Sequence, residues 1–531
     1  MRASFLLIVV AAAFAVQSAD AQRSQPATAA PAAKAAANAP DVQQTLRAVG
    51  LALGELRGPN FVDAISTMEF WANGTMNALG QSFKPGDPWP AFKVTSYHAW
   101  IDFNQPAMRV DLTRTNPDGP AKGGGGLPLA APQRQGLAVS GKYAWNESEP
   151  GAGLVPGKGT VVGAMGAVND RLLQLWAMPY GIFKAAKKAG EKTRVTIENG
   201  TKVIVVPLDD QGLRGIIARA TLDARNLISK VEVTTDNPVL GDMVTETTYS
   251  DYKDIGEIPS DVQFPAHIVV TQRGSPILDL RVTKTDTNNP YLIVPVPEAI
   301  EKAVPPSPSG APVKVDAQKV ADGVWFLTGG THNSVAVEFK DHVVLVECPL
   351  NDERSLAVVE TVRKTLPSKP LRYVVDTHQH FDHSGGLRGC VSEGLTVITY
   401  AENKPFFEKV WTQPHTINPD RLAQKPRKPV IEVAMDKRVL TDSARTLELY
   451  HLEGSDHADS MLIAYLPKER ILIEADEFNP PAPDAPAGPV IKENQVLYDN
   501  IQRLKLDVQQ IAPIHGRLVT IDDLRKAIAK R

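Results

Sequence analysis

With 531 residues, 43% of them hydrophobic and 22% charged, the chain has the composition of an ordinary globular protein and is too long for one core. Its 57 basic and 60 acidic residues leave a formal charge of −3, with no long basic run, which argues against nucleic acid or an anionic membrane as partner. Two cysteines, Cys348 and Cys390, exclude a disulfide framework.

The chain opens with Arg2, an apolar stretch from Phe5 to Val16 and the small-x-small triplet Ala19-Asp20-Ala21. This pattern predicts a secretory signal peptide over 1–21, cleaved after Ala21, and a mature protein that is secreted or periplasmic without a stable membrane anchor. Residues 22–40 are Ala, Pro, Gln and Ser with few large apolar side chains, and are expected to be a disordered leader. Folding starts at Asp41, where Val42, Leu46, Val49 and Leu53 are spaced for one helical face.

From 41 to 289 the chain reads as a mainly antiparallel β domain, with alternating runs at 193–198, 202–207, 218–223, 227–234, 244–252 and 278–285. A helical interruption at 170–187, carrying Leu172, Leu175, Trp176, Ile182 and Phe183, should break at Pro179. The expected architecture is a curved sheet folded on that helix. Phe70, Trp71, Trp89, Phe92, Tyr97 and Trp100 are assigned to core packing, and 123–126, four successive glycines, to a flexible loop. No catalytic cluster stands out in this part of the chain. Residues 290–312, rich in proline, form a linker with a short helix near 298–304.

From 313 to 531 strands alternate with helices, predicting an α/β domain. Strands at 324–327, 334–339 and 342–347, a helix at 353–365 and a strand at 371–375 lead to His378-Gln379-His380-Phe381-Asp382-His383, which holds three of the eleven histidines. In a strand-like exit, residues i and i+2 share a face, so His378 and His380 can hold one ion. Asp382 and His383 fall in the following turn and can face a second. Imidazole and carboxylate donors in this mix suit zinc, with iron or manganese as substitutes. The two cysteines flank this motif and are expected as buried thiols, a bridge between them being the alternative.

This His-x-His-x-Asp-His sequence resembles the signature of the metallo-β-lactamase superfamily, and the resemblance covers about 313–531. Three later segments fit it in order: Asp456-His457-Ala458-Asp459-Ser460, then Ile473-Glu474-Ala475-Asp476, then Pro513-Ile514-His515-Gly516. The resemblance implies an αβ/βα sandwich. It further implies His378, His380 and His457 on one metal, Asp382, His383 and His515 on a second, and Asp476 between them. His451 competes with His457 but lies inside a strand rather than at its exit. Glu347 stands where the family commonly has Asp, a longer carboxylate in an outer-shell position.

The activity so implied is hydrolysis of an ester, lactone, amide or β-lactam, or phosphoester bond of a small molecule, with two zinc ions activating water and Asp382 as the catalytic carboxylate. An iron-dependent oxidoreductase on the same ligands, or a non-catalytic ligand-binding protein stabilised by metal, are the alternatives. Residues 403–429, with Phe406, Phe407, Trp411 and His415, either line the pocket or only pack, and the proline-rich 480–489 is expected as a stiff rim beside Asp476.

Overall fold

The computed structural model describes residues 40–256, 261–303, 313–480 and 491–529. The expected signal peptide and all but the last residue of the expected leader lie outside these, as does the proline-rich rim beyond Pro480. Among the described residues no helix is long and apolar enough to cross a membrane.

The N-terminal helix Val42–Ala52 is capped by Asp41, whose carboxylate accepts from the Gln43 and Gln44 amides, and it buries Leu46, Val49 and the following Leu53. It packs with two further helices on one face of a 13-stranded antiparallel sheet. Two meanders build this sheet, meeting where Thr67–Asn77 pairs with Ser275–Thr287. The helices Val168–Ala177 and Pro179–Ala189 connect the meanders, and the break falls at Met178, as a proline lacking its amide donor requires. Arg171 ties the first of them down by donating from Nη1 to the Ala138 and Trp145 carbonyls, each at 2.7 Å.

The aromatic set divides across the sheet. Along Ala91–Asp102 the pairing slips between Val94 and Ser96, so the buried positions change from Phe92 and Val94 to Tyr97, Ala99 and Ile101. Phe70, Phe92 and Tyr97 are therefore core. Trp71 and Trp100 are on the opposite face, with His98 stacked between them at ring distances of 4.0 and 3.5 Å. Position in the strand, reset at each slip of pairing, decides the side, not aromatic character. Leu292, Val294 and Ile300 of the proline-rich segment lie against Ala107, Ala138 and Trp145, so its described part, 290–303, docks on the sheet.

The C-terminal part is a sandwich of a seven-stranded and a six-stranded sheet. A core of Val, Ile and Leu, including Val344, Val346, Val375, Ile398, Leu449 and Ile473, fills the space between them. Helices Asp352–Thr365 and Leu387–Ser392 cover the first sheet, and Lys492–Arg503 and Ile521–Ala529 the second. This is the expected αβ/βα order. Cys348 and Cys390 do not remain thiols; they are bonded to each other. The reason is close approach: Gly386 packs against Ser355 and the Cys348 carbonyl so tightly that a Cβ there would lie 1.7 Å from Ser355 Oγ, which brings the next helix, and Cys390, onto Cys348.

Within 403–429 two stretches pack. Phe407 is fully buried in the core, and 413–418 docks on the large sheet through Asp242, whose amide donates to the Pro414 carbonyl at 2.7 Å and whose carboxylate accepts from Thr416 and Ile417.

Candidate metal centre

Chain direction explains why the site gathers at one edge of the sandwich. Strands Val343–Val346 and Leu371–Val375 are parallel, so both end at that edge, followed by Glu347 and by 378–383. Ser334–Glu338 runs antiparallel to the first of them and starts there, two residues after His332. In the second sheet Ile471–Glu474 and Gln510–Pro513 are parallel and end together, delivering Asp476 and His515, while antiparallel Leu462–Leu466 begins beside them after His457. A hydrogen bond from Leu462 N to the Thr377 carbonyl, 2.8 Å, joins the sheets at this edge.

All seven predicted residues converge. Donor atoms of His378, His380 and His457 form one group, and those of Asp382, His383 and His515 a second, each within 4.8 Å of its companions. Asp476 stands between them: Oδ2 is 3.6 and 3.7 Å from Nε2 of His378 and His457 and 2.8 Å from Nε2 of His383, and Oδ1 is 3.3 Å from Nε2 of His515. His451 is elsewhere, stacked on Tyr400 with Nε2 2.7 Å from the Asp459 carbonyl.

Sequence reasoning missed His332. It joins the second group, with Nε2 3.2 Å from Asp382 Oδ2 and its ring 4.2 Å from that of His515. Its only signal was its position, two residues before a strand that starts at the edge where its neighbours end.

The donors fit metal ions. Nε2 of His378 is buried and has no hydrogen-bond partner, and Oδ2 of Asp476, also buried, is paired with His383 Nε2 while facing His378 and His457. Pairs of imidazole nitrogens point at each other, His380 Nδ1 to His457 Nε2 at 3.0 Å and His515 Nε2 to His383 Nε2 at 3.3 Å. Two nitrogens on one tetrahedral zinc stand roughly 3.3 Å apart, given zinc–nitrogen bonds of about 2.0–2.1 Å. Three of the ring nitrogens turned away from the centre are engaged: Thr377 Oγ1 contacts His378 Nδ1 at 3.0 Å, the Ser82 carbonyl contacts His380 Nε2 at 3.0 Å, and Glu347 Oε2 contacts His383 Nδ1 at 3.2 Å. Such outer contacts orient ligand rings. Glu347 also accepts from Thr377 N at 2.9 Å, so the longer carboxylate spans the metal loop, and Glu347 and Asp476 both adopt left-handed φ, 73° and 65°.

Burial pushes the His380 imidazole down to about 3 and lowers His378 and His457 as well, leaving three neutral rings, the ligating form. Burial acts the same way on His383, but Asp476, Asp382 and Glu347 outweigh it and hold that ring well above the ordinary range. Burial works to raise Asp382 and Asp476, and the adjacent histidines hold both below the usual carboxylate range.

A stability consequence follows by linkage. Below about pH 6.5 an unfolded histidine takes up a proton that native His380 refuses, so the metal-free protein loses stability as pH falls from about 6.5 toward 3, by about 1.4 kcal/mol per pH unit for this residue. His383, raised in the fold, adds nothing in that window because both states are protonated. Denaturant unfolding of chelated protein at pH 7 and pH 5 measures this; equal stabilities would contradict it.

Comparison with known proteins agrees with the geometry. Residues 327–505 match the Metallo-beta-lactamase superfamily. That segment, about a third of the chain, is similar to the superfamily. Among curated proteins, the linear primary-alkylsulfatase of a Pseudomonas species is 34% identical over 76 residues, and the match spans 14% of this chain and only 11% of that enzyme. Among solved structures, the metallo-beta-lactamase from Pontibacter korlensis is 19% identical, aligned over 41% of this chain and 98% of its own, with a TM-score of 0.31. That from Hirschia baltica is 21% identical over 40% of this chain and 96% of its own, TM-score 0.31. FIM-1 from Pseudomonas aeruginosa, in a mono-zinc form, is 21% identical over 41% and 94%, TM-score 0.30. The superfamily segment includes six of the seven predicted ligands; His515 lies beyond its end.

Proposed function

We propose that this protein is an exported metal-dependent hydrolase with a two-zinc centre. His378, His380 and His457 would hold one ion, Asp382, His383 and His515 the other, and Asp476 both. The observation that carries this reading is His378 Nε2, buried and without a hydrogen-bond partner, facing the Asp476 carboxylate where the two donor groups meet. Zinc ions bound there supply Lewis acidity toward the scissile group and lower the pKa of water.

The chain's own residues supply the rest. Asp382, held ionised by His383 and by His332, is the base available for the proton of an attacking water. Lys84, paired with Asp459 at 2.8 Å, and Ser455, whose Oγ accepts from His457 N at 2.9 Å, fix the turn that presents His457. The bond class is an ester, lactone, amide or phosphoester, and the alkylsulfatase relative adds primary alkyl sulfates to the candidates. Export is supported by the N-terminal signal pattern and by the Cys348–Cys390 bridge, since disulfides persist in oxidising compartments.

The test is a panel of chromogenic ester, lactone, β-lactam, phosphodiester and alkyl sulfate substrates with zinc-loaded mature protein. Turnover of one class, abolished by chelation and restored by zinc, is expected. Two bound metals with no turnover of any class would refute the hydrolase reading.

A further inference from the structure

Resting on the two-metal reading, we propose that Gln81, a residue of the N-terminal β region, is a positioning residue for Asp382 and thereby for the second metal, which makes that region a working part of the metal centre. The link is the segment between strands Thr67–Asn77 and Ala91–Asp102, which crosses the metal loop. Phe381 N donates to the Gly80 carbonyl at 3.2 Å, Gln379 Nε2 to the Ser82 carbonyl at 2.7 Å, and Asp459 N to the Phe83 carbonyl at 2.9 Å. The Ser82 carbonyl also receives the Nε2 proton of His380, which selects the tautomer whose Nδ1 lone pair is free to face His457.

Gln81 is oriented from both ends. Its Oε1 accepts from Gly125 N at 2.9 Å, so its Nε2 is the end that donates to Asp382 Oδ1, at 2.7 Å. With His332 Nε2 on Oδ2 at 3.2 Å, both oxygens of Asp382 are located and the carboxylate cannot rotate freely. The glycine run expected as a flexible loop is the support for this arrangement. Gly123 N donates to the Asp456 carbonyl at 2.8 Å, and a Cβ on Gly124 would lie 2.0 Å from Gln81 Oε1 and 2.8 Å from His380 Cε1. Only glycine lets this backbone approach the site so closely.

Outer-shell partners of metal ligands are worth about 10- to 100-fold in affinity. The experiment uses mature full-length protein and measures the affinity of each zinc by competition with a chromophoric chelator. Gln81→Met keeps length and volume but removes both hydrogen bonds; it should weaken the second zinc about 10- to 100-fold and leave the first within about threefold. Gln81→Ala should do the same, and Gly124→Ala should weaken the second zinc by displacing the Gln81 amide. The unfolding midpoint of each metal-free variant separates this effect from misfolding. If wild type binds two zinc ions and folded Gln81→Met binds both as tightly, the positioning role is overturned while the two-metal reading stands. If wild type itself binds fewer than two, that reading fails and this proposal with it.

Discussion

Asp382→Ala should lower kcat/KM by on the order of 10³-fold or more on whichever substrate class the protein turns over, with the fold intact. Two losses combine at this one carboxylate. It is a donor of the second group, alongside His383 and His515, and in the proposed reaction it is the base that takes the proton of water. A positioned base alone contributes about 10²–10⁴-fold. The carboxylate is partly exposed, 35% by side chain, so its removal leaves no sealed cavity, but Gln81, His332 and His383 lose their partner and the metal-free protein should lose some stability while remaining folded. Steady-state kinetics with thermal unfolding as control reads both quantities. Unchanged turnover would mean that the chemistry is elsewhere and would favour a metal-stabilised binding protein.

Asp476→Asn should reduce bound zinc from two per chain to one and lower activity at least about 10²-fold. Asp476 reaches both donor groups: its Oδ2 is 3.6 and 3.7 Å from Nε2 of His378 and His457 and 2.8 Å from Nε2 of His383, and its Oδ1 is 3.3 Å from Nε2 of His515. The substitution is a clean one, because Asn has the same shape and tolerates the left-handed φ of 65° that this position requires. What changes is the charge and one ligating oxygen. Retention of two zinc ions with full activity would remove Asp476 from its bridging role.

The convergence of the candidate ligands at strand exits was legible because an extended chain leaving a buried strand has one direction to go, and 371–375 and 471–474 are strongly apolar runs. His332 was not legible by that logic, since it precedes its strand, and only the antiparallel direction of Ser334–Glu338 puts it at the same edge. Gln81 was further out of reach: it is 301 residues from Asp382 in sequence, and its contact depends on how the large sheet docks on the sandwich. Local pattern carries no information about such docking. The break at Pro179 was readable from covalent chemistry alone, whereas the side taken by Trp71 and Trp100 depends on slips of strand pairing that alternation cannot foresee. Glu347 shows an intermediate case. Its outer-shell place was expected, but that its extra methylene lets it span Thr377 N and His383 Nδ1 from a left-handed backbone appears only in the fold.

The central claim is a two-zinc centre, and the most direct measurement is the metal content of full-length mature protein purified without added metal, by inductively coupled plasma mass spectrometry. Two zinc ions per chain are predicted, falling to one in Asp476→Asn. One iron per chain, or no bound metal after zinc is offered, would contradict it.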